Sequence, residues 1–150
     1  MRIISHRGCL DGPDPSIENN PNQIDCAIKH TFDVEIDLWM LDESFLLGHD
    51  KPQYPITIQW LNERSDNLWV HCKNIKALDY LSSNKSNLNY FFHQTDHVTL
   101  TSKNFLWVYP KMEFTENSVI VAMEQCDLKK LKDSKVKPIA VCTDYPLSML

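Results

Sequence analysis

The chain has 150 residues, 43% of them hydrophobic, and a formal net charge of −5. That length favours one domain spanning 1–150, able to bury about 70% of the unfolded surface. The acidic balance and the lack of any lysine or arginine run exclude a general nucleic-acid binder, and no apolar stretch approaches the ~20 residues that a membrane span needs.

Residues 2–5 read as a short strand ending on His6-Arg7-Gly8, and the run before His6 is too short for a signal-peptide core. Residues 9–20 hold Gly12, Pro13 and Pro15 and form a loop. Asn20-Pro21 then starts a helix, with Asn as cap and Pro at its first position, running to about His30. Residues 32–39 alternate Val34, Ile36 and Leu38 with Glu35 and Asp37. On a strand, residues two apart share a face, so both carboxylates point one way and the aliphatics the other. Like charges that close raise each other's pKa or require a cation, so the pair reads as a hard-metal site. Residues 41–44 turn the chain, 45–48 pair back as a hairpin, and the run ends on His49, a nearby acid or base. Residues 51–55 are expected as loop and 57–63 as one or two helical turns.

Residues 68–72 form the next strand, followed by a helix over about 74–82 and a strand over 89–92 ending at His93. Helices then vanish. Residues 98–101, 105–109 and 119–123 are short apolar runs with few residues between them. A weak helix is expected at 128–132, and a last strand at 139–142 leads into Thr143-Asp144-Tyr145-Pro146. Cys9, Cys26, Cys72, Cys126 and Cys142 are odd in number and form no Cys-x-x-Cys pair, which points to free thiols in a reducing cytoplasm.

Strand and helix alternate through the first half, which implies an α/β protein with a parallel sheet. Polar groups recur at strand ends: His6, then Glu35 with Asp37, then His71 with Lys73, then His93. Their convergence at the carboxyl ends of parallel strands fits the mouth of a barrel, with His93, Trp107 and Tyr109 lining it. A full (β/α)8 barrel needs about 250 residues. The expectation is therefore a reduced TIM-type (β/α) barrel with most second-half helices missing. It has seven parallel strands, and residues 98–101 are either an eighth or a returning segment. Apolar surface left bare by the missing helices suggests a homo-oligomer.

Ser5-His6-Arg7-Gly8, Glu18-Asn19, Val34-Glu35-Ile36-Asp37 and Gly48-His49-Asp50, in this order, resemble the glycerophosphodiester phosphodiesterases. These belong to the barrel phosphodiesterases that include phosphatidylinositol-specific phospholipase C. Lys73 and Thr143-Asp144-Tyr145-Pro146 also fit. The resemblance implies His6 and His49 as the acid–base pair, Arg7 on the phosphate, and Glu18 holding Arg7. It further implies Glu35 and Asp37 on Mg²⁺ or Ca²⁺, and Lys73 offsetting phosphate charge. The third metal-binding carboxylate of that family is here His71, which shifts preference toward Mn²⁺ or calls in another ligand such as Glu124. The implied reaction is hydrolysis of a small-molecule glycerophosphodiester to glycerol 3-phosphate and an alcohol. Two alternatives stay open: metal-free, phospholipase C-type cleavage by the two histidines and Arg7, and a non-catalytic module that binds a phosphate ligand.

Overall fold

In the computed structural model, which describes residues 1–150, the chain enters as β1 (Arg2–His6) and crosses to α1 (Pro21–Lys29). Asn20 caps α1 by accepting from the Asn22 amide, and Pro21 stands where no helical donor is needed. Ile24 and Ala27 form its buried face. The long β2 (Asp33–Leu41) turns through Asp42 and Glu43, both at positive φ, into β3 (Ser44–Leu47). Two positive-φ residues form the tight turn whose twist matches a hairpin. β4 (Tyr54–Ile56) and a short α2 (Ile58–Asn62), capped by Thr57, complete this excursion.

β5 (Leu68–Cys72), α3 (Ile75–Ser83) and β6 (Asn89–Phe91) form the next crossover unit. Asn74 caps α3 through the Ala77 amide, and its side chain also bonds the Met40 amide and carbonyl. One asparagine thus ties the start of α3 to the end of β2. The second half has little helix: β7 (Val98–Leu100), β8 (Leu106–Val108) and β9 (Ser118–Val121) follow in succession. Then come α4 (Gln125–Asp133), β10 (Ala140–Thr143) and a 3-10 turn at Pro146–Met149.

β1 lies at the centre, parallel to β2 on one side and β10 on the other. Parallel pairing continues from β2 to β5 and β6, and from β10 to β9 and β8. Seven strands therefore run parallel in the order β6-β5-β2-β1-β10-β9-β8. The upper half of β2 also carries β3 and β4 as an antiparallel flap, and β7 lies antiparallel to β8. The mixed sheet curls until its ends meet: Phe91 of β6 stacks on Trp107 of β8 with ring centroids 4.4 Å apart. The Ser102 amide, after β7, donates to the Tyr90 carbonyl at 2.8 Å. The result is an α/β protein whose curled mixed sheet makes a half-barrel with few helices, consistent with a reduced barrel.

The curl separates an inner core from two outer ones, the smaller of which packs Leu128 and Leu131 of α4 on Val141. Inside the curl, Ile4, Trp69, Phe91, Trp107, Val119, Ala140 and Cys142 pack into an apolar floor. Outside, Val34, Ile36, Leu38 and Val70 meet Ile24, Ala27, Ala77 and Leu81 of α1 and α3. In β5, Trp69 faces the floor while Leu68 and Val70 face the helices, as period-2 alternation requires. Burial pushes the thiols of Cys9 and Cys72 up to about 12, so both are inert apolar filler.

The structure corrects two expectations, the loop at 54–55 and the start of the helix near 128, and decides between the two alternatives for residues 98–101. Residues 54–56 form a strand where a loop was expected, because β3 would otherwise be an edge. Pro55 is tolerated because β4 is itself the outermost strand. Residues 98–100 are a returning antiparallel strand and not an eighth parallel one; too few residues separate β6 from β7 for a crossover. The helix near 128–132 starts earlier, at Gln125. Val98 and Leu100 remain exposed on this thin side of the sheet. No helix is long and apolar enough to cross a membrane.

Candidate active site

Alternation sends His6, Glu35, Asp37, His71, Lys73 and His93 toward the same end of the curled sheet. Register does the rest: His6 pairs with Glu35 across β1 and β2, and Asp37 with His71 across β2 and β5. They surround a cavity of about 360 Å³ that His6, Arg7, Glu35, His49, His71, Lys73, His93, Trp107 and Tyr109 all line. Asp37 and Glu18 stand just behind this lining.

His6 is held by a carboxylate. Its Nδ1 lies 2.7 Å from Asp144 Oδ1, and Asp144 is buried. A carboxylate only accepts, so Nδ1 carries the proton in that bond, and Nε2 is left toward the cavity, 3.9 Å from Glu35 Oε2. Arg7 takes positive φ as the chain leaves β1. Its Nη1 donates to Glu18 Oε2 at 2.9 Å, and its Nε lies 3.1 Å from Asp37 Oδ2.

Asp37 and Glu35 are two residues apart yet electrostatically opposite. Asp37 Oδ2 accepts from Asn19 Nδ2 at 2.9 Å, and the Asp37 amide donates to Asn19 Oδ1 at 2.9 Å. Asp37 Oδ1 has His71 Nδ1 at 3.1 Å and Lys73 Nζ at 3.4 Å. Burial pulls the Asp37 pKa up, but His71, Arg7 and Lys73 outweigh it and hold the carboxyl below its ordinary range. Glu35 has no such support. Burial and then the charge of Asp37 raise its pKa, against weaker opposition from His6, His71 and Arg7. Glu35 Oε2 and Asp37 Oδ1 are buried without a well-formed hydrogen bond. Oxygens of Glu35 and Asp37 and a nitrogen of His71 lie within 4.8 Å of one another. A buried carboxylate pair with an imidazole nitrogen this close fits a divalent cation.

His49 reaches the cavity on a turn set by Gly48, whose φ is +151°. Its Nδ1 bonds Asp50 Oδ1 at 2.7 Å. Partial burial, with Arg7 and Lys73 nearby, lowers its pKa against the pull of Asp37 and Asp50. A Cβ at position 48 would collide with the Lys51 carbonyl oxygen, and the φ itself disfavours any side chain. Gly48→Ala is therefore expected to cost about 1–3 kcal/mol and to displace His49. Urea unfolding of the variant beside the wild type checks the first, and the shift of the His49 ring resonances in NMR spectra of the folded variant checks the second.

His93 and Trp107 are nearly enclosed. His93 Nε2 bonds the Asp96 carbonyl at 2.5 Å, while Trp107 packs on Phe91 and Trp69. Trp107 thus belongs to the floor and His93 to the wall, and the half-exposed Tyr109 is the freer aromatic at the rim. Glu124, the alternative ligand, lies elsewhere: it precedes α4 without a side-chain capping bond, is exposed, and pairs with Lys111 at 3.0 Å. Met123 takes the inward position there, so the next side chain points out.

Two residues escaped the sequence reading. Asn19 was visible as half of Glu18-Asn19, and its positive φ of 60° is a conformation that asparagine tolerates. Asp144 stood in the sequence only within Thr143-Asp144-Tyr145-Pro146, with no partner assigned to it. Its signal was parity, since it continues the inward row of Ala140 and Cys142. Compared with family models, with curated proteins and with solved structures, the chain has no match.

Proposed function

We propose that the chain is a divalent-cation-dependent phosphodiesterase of the glycerophosphodiester phosphodiesterase kind, on a shortened TIM-type (β/α) barrel. Its substrate is a small glycerophosphodiester, and its products are glycerol 3-phosphate and an alcohol. One observation carries this reading: His6, His49, Arg7, Lys73 and Glu35 line one cavity, with Asp37 directly behind it. A phosphodiester is an anion, and a site for cutting it needs positive charge for the phosphoryl oxygens and two proton-transfer groups.

Arg7 and Lys73 supply fixed positive charge at the cavity wall. Glu18 and Asp37 orient the guanidinium by its edge nitrogens. A divalent cation held by Glu35 and Asp37, Mg²⁺, Ca²⁺ or Mn²⁺, would supply further charge to the phosphoryl oxygens. His6, with Nδ1–H donating to Asp144, presents Nε2 as a base to the attacking hydroxyl, and Asp144 stabilises the imidazolium that forms. His49 gives its proton to the departing alkoxide. The attacking hydroxyl is the glycerol's own neighbour of the phosphate: its O–P bond forms as the P–O bond to the alcohol breaks, leaving a cyclic phosphate. Water then opens the ring, with His49 taking a proton and His6 returning one to the released glycerol oxygen.

His71 favours a second reading as well. A proton on Nδ1 would put an imidazolium 3.1 Å from Asp37, standing in for the cation in a metal-free cleavage of phospholipase C type. The test is release of glycerol 3-phosphate from glycerophosphodiesters with EDTA, then with Mg²⁺, Ca²⁺ or Mn²⁺ restored. Activity lost with EDTA and recovered with a cation is expected. Turnover indifferent to chelation would favour the metal-free reading. No turnover from folded protein under any cation would overturn both in favour of a binding module.

A further inference from the structure

The third corner of the carboxylate pair is a nitrogen. His71 Nδ1 lies 3.1 Å from Asp37 Oδ1 and 3.8 Å from Glu35 Oε1. Its Nε2 lies 2.8 Å from the His93 carbonyl oxygen. A carbonyl has no hydrogen to give, so Nε2 carries the proton. In the neutral ring, Nδ1 then aims a lone pair at two carboxylate oxygens. Three electron-rich atoms at these separations repel unless a positive centre lies among them: Lys73 Nζ reaches only Asp37, so the centre is either the Nδ1 proton of the metal-free reading or a cation.

The ring is also fixed in that orientation. It stacks on Phe91 with centroids 5.2 Å apart and planes 4° from parallel. His93, whose carbonyl accepts the Nε2 proton, is itself tied to the Asp96 carbonyl. Donation of the far ring nitrogen to a backbone carbonyl is the support that metal-ligating histidines almost always have. Ligand atoms each about 2.1 Å from an ion lie about 3.0 Å apart at right angles and about 3.4 Å apart at tetrahedral angles. The 3.1 Å separation lies between those values, and the 3.8 Å separation lies somewhat beyond the larger. Lys73 Nζ also approaches Asp37 Oδ1, at 3.4 Å, which leaves Glu35 and His71 as the ligands with least competition.

Resting on the cation-dependent reading above, we infer that His71 Nδ1 is a metal ligand. With Glu35 and Asp37 it forms a mixed nitrogen–oxygen site that selects a first-row transition dication, Mn²⁺, Co²⁺ or Zn²⁺, over Mg²⁺ and Ca²⁺. Mg²⁺ and Ca²⁺ are oxygen-seeking ions, whereas imidazole suits transition metals. His71 is thus the specificity-determining residue of the site, and the choice of ion lies in one side chain.

The test reads binding and not turnover. Calorimetric titration of the metal-stripped full chain with Mn²⁺, Zn²⁺, Mg²⁺ and Ca²⁺ is expected to give tighter binding for the first two. Pulsed EPR of the Mn²⁺-loaded protein is expected to show coupling to a directly bound imidazole nitrogen. In His71→Gln that coupling disappears and Zn²⁺ affinity falls at least about tenfold. In His71→Glu the preference for Zn²⁺ over Mg²⁺ narrows by a similar factor. Circular dichroism of both variants establishes that each is folded. Equal affinity of the wild type for Mg²⁺ and Zn²⁺, or a nitrogen coupling that survives in His71→Gln, would overturn this inference and leave the cation-dependent reading standing. Failure of the wild type to bind any of the four ions would overturn both.

Discussion

Asp37→Ala is expected to abolish cation binding and to destabilise the cation-free protein by about 3–5 kcal/mol, while Glu35→Gln abolishes cation binding and stabilises it. The contrast follows from their surroundings. Asp37 is enclosed by Arg7, Asn19, His71 and Lys73, so its removal strands two partly buried cationic groups and a buried amide. Glu35 keeps one oxygen without a hydrogen bond and sits beside another carboxylate. Neutralising it is expected to add about 0.5–2 kcal/mol, a gain typical of relieving a strained functional site. At this chain length that raises Tm by about 2–4 °C per kcal/mol.

The pH dependence of the two variants differs in sign. The folded-state pKa of Glu35 is raised, so its contribution is present below its unfolded pKa and is lost as pH rises through the folded one. The stabilisation from Glu35→Gln should therefore vanish toward about pH 4 and grow toward neutrality. The folded-state pKa of Asp37 is depressed, so its contribution is present above its unfolded pKa and is lost as pH falls through the folded one. The loss in Asp37→Ala should be largest near neutrality and shrink in acid. Urea melts with EDTA at pH 4 and pH 7.5 measure both. A Glu35→Gln protein less stable than the wild type at pH 7.5 would contradict this view of the pair.

His6→Ala is expected to lower kcat by about 10²–10⁴-fold, with the fold intact and cation affinity little changed. Asp144→Asn acts through His6 and not on substrate. Its side-chain amide can donate to Nδ1, which then holds a lone pair and leaves Nε2 protonated, the wrong form for a base. Its effect on kcat should be large, with KM nearly unchanged, and should shift the pH profile of kcat. In the double variant the losses should not add, since Asp144 has no function once the imidazole is gone. Additive losses would show that Asp144 serves the reaction, or the fold, independently of His6.

The parts of this architecture legible in the sequence were those written in period two. Val34, Ile36 and Leu38 against Glu35 and Asp37 announced both faces of β2. Counting inward positions on the other strands brought His6, His71 and Lys73 to the same end. The missing helices were legible from connections too short to hold them. Less legible was whatever depends on the far partner. Residues 54–56 look like loop until β3 is known to need a neighbour. Residues 98–100 are apolar in either direction of travel, and only pairing with β8 decides it. Asp144 lies 138 residues from His6, and no local pattern joins them. Glu124 looked available because a free acid near a strand end resembles a ligand. Its position one past the inward Met123 turned it out to Lys111.

The most direct measurement is ³¹P NMR of a glycerophosphodiester incubated with cation-loaded protein, beside Asp37→Asn and His6→Ala samples shown to be folded. The expected spectrum loses the diester resonance and gains that of glycerol 3-phosphate, with a transient cyclic phosphate, while both variants leave the diester intact. An unchanged diester in the wild-type sample, with cation binding established on the same preparation, would contradict hydrolysis at this site.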